Sequence, residues 1–198
     1  MAIAKGKNEM QASIDDTASA LVQLTNELEN YYTNRALALD KHIMDLRREN
    51  PREAPEVLHC MESPTHCIKD IYDEMHRETM EMLVCRVYSF VEKHMEEFLK
   101  RIPLSKTQAK KSLTGKDVSD IVKFYSAINA RFKLSIQSIS DIWKGYDEFH
   151  ILRKDLEHHY DYDYQPKDIP ISYILTNIKQ ATELLLFIEE NTRINPSF

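Results

Sequence analysis

A chain of 198 residues can build one well-packed domain with a helical extension, and its 29% charged, 42% hydrophobic composition excludes general disorder. Only three Gly are present, too few for turn-rich sandwiches or barrels, so long helices with few connections are expected. The net charge of −6 argues against a chain coated for nucleic acid, yet residues 100–116 hold six Lys and Arg and no acid, leaving 20 basic against 32 acidic residues elsewhere.

Residues 1–13 read as a flexible tail. Leu21, Leu24, Leu28, Tyr31, Leu39, Ile43 and Leu46 then recur at helical intervals, and Asn50-Pro51 stops them. Residues 51–63 read as a connection, because Ser63-Pro64 offers an N-cap followed by a first-turn proline. A second helix follows to about Ile102, with Ile68, Ile71, Met75, Met82, Leu83, Val87 and Phe98 as its apolar face and a break expected near residues 76–79. Met75, Met80 and Met82 read as packing residues, and Cys85 as core. The basic segment reads as a loop. From Val118 to Phe149 the helical rhythm continues with a kink around residues 132–135. Residues 160–170 (YDYDYQPKDIP) lose the rhythm and form a loop, and a last helix carries Ile171, Ile174, Ile178, Ala181, Leu185 and Ile188 on one face. The expected fold class is all-α, a four- to five-helix bundle with an additional N-terminal helix. The plan is a tail (1–13), the N-terminal helix and its connection (14–62), and the bundle (63–198).

No apolar run is long enough to span a bilayer, and no secretory core opens the chain. Cys60, Cys67 and Cys85 are an odd-numbered set. A cytoplasmic protein with free thiols and no membrane partner is the expectation.

Chemical potential concentrates between His150 and Tyr162, where three His, an Arg and two Tyr fall at a helix end. Cleaving RNA without a metal needs a group to take the 2′-hydroxyl proton, one to protonate the leaving 5′-oxygen, and a cation for the charge growing on phosphate. His suits the first two roles near neutral pH, and Arg the third, being permanently charged and bidentate towards phosphate. Arg153 and His158 stand five positions apart, about 140° around an ideal helix. To converge on one phosphate they need either a distorted helix end or a second copy of the chain.

The spacing Arg153, four residues, His158, one residue, Tyr160 resembles the signature of the HEPN superfamily, especially its toxin branch. Leu152-Arg153 matches the usual lead-in, the loop and last helix follow in the family's order, and the stretch from Arg86 through Tyr88 and Glu92 to Leu99 resembles its first long helix. The resemblance covers roughly residues 78–190. It implies a HEPN-type bundle and a homodimeric, metal-independent endoribonuclease leaving a 2′,3′-cyclic phosphate, a toxin or defence effector, with no cofactor. Arg153 and His158 are the implied catalytic pair, with His159, Tyr160, Lys154 and Asp155 as supporting candidates. In the toxin branch a partner nucleotidyltransferase antitoxin modifies the motif Tyr, here Tyr160. Two positions depart from the pattern: Lys154 stands where Asn is frequent, and Glu157 where an apolar residue is. His159 offers a competing spacing. The alternative reading is a catalytically silent HEPN or helical-bundle module that binds nucleotide, RNA or protein, with Arg153 in a surface ion pair with Glu148, Asp155 or Glu157.

Lys106, Lys110, Lys111 and Lys116 are the candidate RNA contacts of the basic segment. His59, Cys60, His66 and Cys67 crowd four potential ligands into nine residues, but no C-x-x-C or H-x-x-x-H pair is present, so they read as loop His and partly buried thiols with no metal.

Overall fold

The computed structural model describes residues 2–101, 120–158 and 167–193, with the side chains of residues 9–100, 120–156 and 167–192. The described residues are all-α: five α-helices, one short 3-10 turn and no strand. Among them, no helix is long and apolar enough to cross a membrane.

Helix α1 spans Ala2–Glu49. The tail expected over residues 1–13 is therefore helical from Ala2, and the reason is visible in the packing. Met10 and Ile14, one turn apart, are buried in the main core at 2% and 0% exposure. At the other end, the side-chain amide of Asn50 donates to the Leu46 carbonyl and satisfies one of the helix's last acceptors. The turn that follows is short. Pro55 opens helix α2 (Pro55–Arg101), the Ala54 carbonyl accepts from the amides of Val57 and Leu58, and Glu56 favours the positive end of the helix.

Helix α2 thus begins eight residues before Ser63-Pro64, and Pro64 lies inside it. It also runs unbroken through residues 76–79. An interior proline lacks a donor and costs about 3 kcal/mol, so another contact must carry the helix through it. That contact is α1. The two helices pair antiparallel along a ladder: Arg47 with Glu62 (2.6 and 2.9 Å), Asp40 with Lys69 (2.5 Å), Tyr32 with Thr79 (2.9 Å) and Glu29 with His76 (2.8 Å). Thr65, beside Pro64, is buried in the same seam.

The α1–α2 hairpin has two parts. Towards one end, Met10, Ile14 and Ala18 of α1 and the residues of α2 from Met80 to Phe98 belong to the common core. Further out, Tyr32, Leu39 and Ile43 are buried but lie outside that core, covered by α2. This outer part is an arm made of two helices.

The arm's seam is held by charge. The Arg47 guanidinium, helped by His66, holds the Glu62 carboxyl below the usual glutamate range against the opposing pull of burial. A depressed carboxylate contributes stability that is present above its unfolded-state pKa and lost as pH falls through its folded pKa. The protection of amides in residues 40–65, measured against the intrinsic exchange rate at each pH, should therefore fall below the ordinary glutamate range, and Glu62→Gln should flatten that fall. Wild-type protection that stays constant with pH would contradict this.

The bundle is completed by α3 (Asp120–Phe132), α4 (Tyr146–His158) and α5 (Ile171–Arg193). Helix α3 ends where Lys133 turns left-handed (φ 51°) and its amide closes onto the Asn129 carbonyl. The expected simple kink after Phe132 is instead a full interruption. Ser138 caps the 3-10 turn Ile139–Asp141, and the Asp141 carboxylate accepts from the amides of Gln137 and Ser138 in return. Trp143 then drops into the core at 0% exposure, its indole N–H donating to Asn177 Oδ1 at 2.6 Å. Helix α5 packs against both α1 and α2, with Ile174, Ile178, Ala181, Leu185 and Ile188 buried as its spacing predicts and Ile171, in its first turn, half-buried.

Candidate functional site

Helix α4 is seated against α2 by aromatic side chains. Trp143 meets Tyr146 edge-on at 5.3 Å, Tyr146 stacks on His150 at 5.9 Å, and His150 stacks on Tyr88 of α2 at 5.7 Å. The Tyr88 hydroxyl and His150 Nδ1 share a hydrogen bond of 3.1 Å. Tyr88 is itself 1% exposed, so this stack fixes the rotation of α4.

One turn beyond His150, Arg153 lies over the other end of the stack. Its Cζ stands 4.5 Å from the Tyr88 ring centroid, and Nη2 faces Glu92 Oε2 at 4.0 Å. A cation over an aromatic face gains about 0.5–2 kcal/mol according to its desolvation, and the carboxylate adds attraction on the other side. The Arg153 side chain keeps 23% exposure, so its guanidinium is oriented from within the fold and still reaches solvent. Glu92 was not among the partners Glu148, Asp155 and Glu157 expected for Arg153, and the Glu157 side chain lies outside the described residues.

The other sequence candidates fall differently. Lys154 is exposed. Asp155 pairs with Lys167 at 3.1 Å, and the Lys167 amide donates to the buried Glu81 carboxylate at 2.6 Å, which ties the end of the last connection to α2 and α4. Helix α4 continues through His158, so on its backbone Arg153 and His158 diverge by about 140° and are separated by about 7.5 Å along the axis. The His158 side chain lies outside the described residues, as do His159, Tyr160 and the basic positions Lys106, Lys110, Lys111 and Lys116.

Tyr88, Glu92 and His150 were not candidates on sequence grounds. Glu92 and Arg153 are 61 positions apart, and no local pattern in one sequence links them. His150 carried a signal, as the first His of the reactive segment. Its face on α4 could be read from the three-residue step to Arg153.

The cluster His59, Cys60, His66 and Cys67 sits on α2, not in a loop, and both thiols are exposed. On a helix its two halves are seven residues, about 10.5 Å, apart, too far to close on one tetrahedral zinc. Among the described residues no group of three or more His, Cys, Asp and Glu is placed to hold a metal. No protein-family model matches the chain, and neither the curated proteins nor the solved structures compared with it gave a match.

Proposed function

We propose that the chain is a HEPN-type, metal-independent endoribonuclease, acting as a homodimer with Arg153 and His158 as its catalytic pair. The observation that carries this reading is Arg153 itself: an arginine held over Tyr88 and beside Glu92, partly open to solvent, on the helix that ends at His158. In the reaction, the 2′-oxygen attacks phosphorus as His158 or a second base takes its proton. Arg153 holds the charge growing on the non-bridging oxygens, the bond from phosphorus to the 5′-oxygen breaks, and that oxygen takes a proton from the protonated base or from water. The helix keeps Arg153 and His158 apart, so two chains facing each other supply one cleft. Tyr88 and Glu92 position the guanidinium. The basic segment with Lys106, Lys110, Lys111 and Lys116 would hold the RNA backbone. Attaching a nucleotide to Tyr160 would add negative charge beside the cleft and shut it, the toxin and antitoxin arrangement that the sequence resemblance implies.

A second reading, a catalytically silent RNA- or protein-binding module, draws on the same contact, because Glu92 faces the guanidinium that would have to meet phosphate. The test is incubation of the purified chain with mixed RNA in excess chelator. Cleavage at stoichiometric or lower protein supports the ribonuclease. Intact RNA that is nevertheless bound favours the silent module.

A further inference from the structure

Twelve large apolar side chains are exposed among the described residues, and six of them stand in a single row on α2: Val57, Met61, Ile68, Ile71, Met75 and Met82. Together with Pro64 and Glu78, which fill the intervening places, the row steps by four and three residues without a slip. This is the spacing of a coiled-coil seam. The hairpin does not use it. Helix α1 covers the neighbouring row, one residue further on, where Glu62, Lys69 and His76 meet Arg47, Asp40 and Glu29. Helix α2 therefore carries two seams, and the more polar of them faces α1. On α1, Tyr31 reaches Tyr72 across the arm with ring centroids 6.4 Å apart, so Tyr31, and Leu24 one heptad before it, flank the open row.

We infer that this row docks onto the same row of a second copy of the chain, with the two arms side by side and both bundles at the same end. A seam with regular four-three spacing is complementary to itself, so a second copy presents a matching surface without any further feature. The area is adequate. From Val57 to Met82 the row runs about 38 Å, and a two-helix face roughly 15–20 Å wide gives roughly 600–750 Å² per chain, close to the ~800 Å² per partner of a stable interface. Glu78 interrupts the row and faces its own copy, which weakens the pairing and keeps the monomer accessible.

The direction follows from where the row leads. Continued by the same steps it passes Cys85 and Ser89 and arrives at Glu92, the carboxylate beside Arg153. Arms side by side bring the two Arg153 centres towards one axis. An antiparallel pairing centred on the row would separate them by roughly 70 Å at 1.5 Å per residue. The direction, though not the surface, rests on the ribonuclease reading, which requires two chains at one cleft.

The test uses the full chain. Light scattering across a dilution series should give a dimer for the wild type. The double variant Ile68→Glu, Ile71→Glu should dissociate at a concentration at least about a hundredfold higher than the wild type, because it buries four carboxylates at the axis. Both positions are exposed in the single chain, so helical content by circular dichroism should not change. A wild type that stays monomeric, or a double variant that dimerises unchanged, overturns the inference. For the direction, Ser89→Cys in a chain whose three native cysteines are replaced by Ser should form a disulfide-linked dimer on mild oxidation. A dimer that fails to link there overturns the side-by-side arrangement. If the arm variants dissociate while the wild type leaves RNA intact, the docking surface stands and the ribonuclease reading falls. If the wild type cleaves RNA as a dimer that the arm variants do not disturb, the reverse holds.

Discussion

Arg153→Ala and His158→Ala should each slow RNA cleavage by at least about a hundredfold, the usual consequence of removing a transition-state clamp or a general base. Neither should unfold the chain. Arg153 lies on the seam between α2 and α4 without forming part of the apolar core, and His158 is the last residue of α4. The informative measurement is the mixture of the two variants. If each centre takes Arg153 from one protomer and His158 from the other, a heterodimer keeps one intact centre, and activity returns in part on mixing. If both residues come from one chain, every centre in the mixture lacks one of them and the mixture stays inactive. The continuous helix through His158 is the reason to expect the first outcome. Arg153→Lys should rescue little, because a point charge does not reproduce the planar fork that lies over Tyr88. Glu92→Gln separates the two readings of that carboxylate. A positioning group would lower activity when neutralised, and an inhibitory one would raise it.

Trp143→Ala should destabilise the fold by about 3–5 kcal/mol, a large share of the roughly 5–15 kcal/mol that holds a domain together. Trp143 has no exposed surface, touches the rings of Tyr146 and Phe149, and places its indole N–H on Asn177. Its loss opens a cavity between the start of α4 and α5. The surroundings have little room to shift, since a Cβ at the nearby Gly145 would already stand 3.3 Å from the same Asn177 oxygen. Trp143→Phe should cost less, keeping the ring but leaving Asn177 Oδ1 short of its donor, at about 1–3 kcal/mol. Trp143 is the chain's single tryptophan, so unfolding is best followed by circular dichroism in urea. A loss below about 1 kcal/mol for Trp143→Ala would mean that the site collapses around the gap far better than core positions usually do. Because Trp143 starts the stack that runs through Tyr146 and His150 to Tyr88, the Ala variant should also loosen Arg153 before the chain unfolds.

The all-α class could be read from composition and period, and so could the buried face of α5. The misreadings share a cause, which is tertiary contact outweighing a local signal. Pro55-Glu56 and Ser63-Pro64 are both reasonable helix starts. The second is overruled because Glu62 and Thr65 must lie on a helix to meet α1. Met10 and Ile14 already carried a helical step, but across the boundary of the segment 1–13 read as a tail. On α2, the apolar face expected to include Ile68, Ile71, Met75 and Met82 alongside Leu83 and Val87 is in fact two faces. The first four residues are exposed, Ile68, Ile71 and Met75 on the arm and Met82 beside the bundle, and the last two are buried in the bundle. Hydrophobic periodicity identifies a row but not what covers it, and on this helix α1 covers the polar neighbour instead. Of the candidate site, Arg153 was legible from its spacing to His158 and Tyr160. Its support by Tyr88 and Glu92 was not, since that depends on how α4 is laid across α2.

If Arg153 and His158 cut RNA without a metal, the chemistry of the ends left behind shows it. Purified chain, freed of metals and kept in chelator, should convert a defined RNA into fragments ending in 2′,3′-cyclic phosphate and beginning with a 5′-hydroxyl, and Arg153→Ala should yield neither. Fragments ending in a 3′-hydroxyl with a 5′-phosphate, or the same cyclic ends from wild type and Arg153→Ala at equal rates, would contradict it.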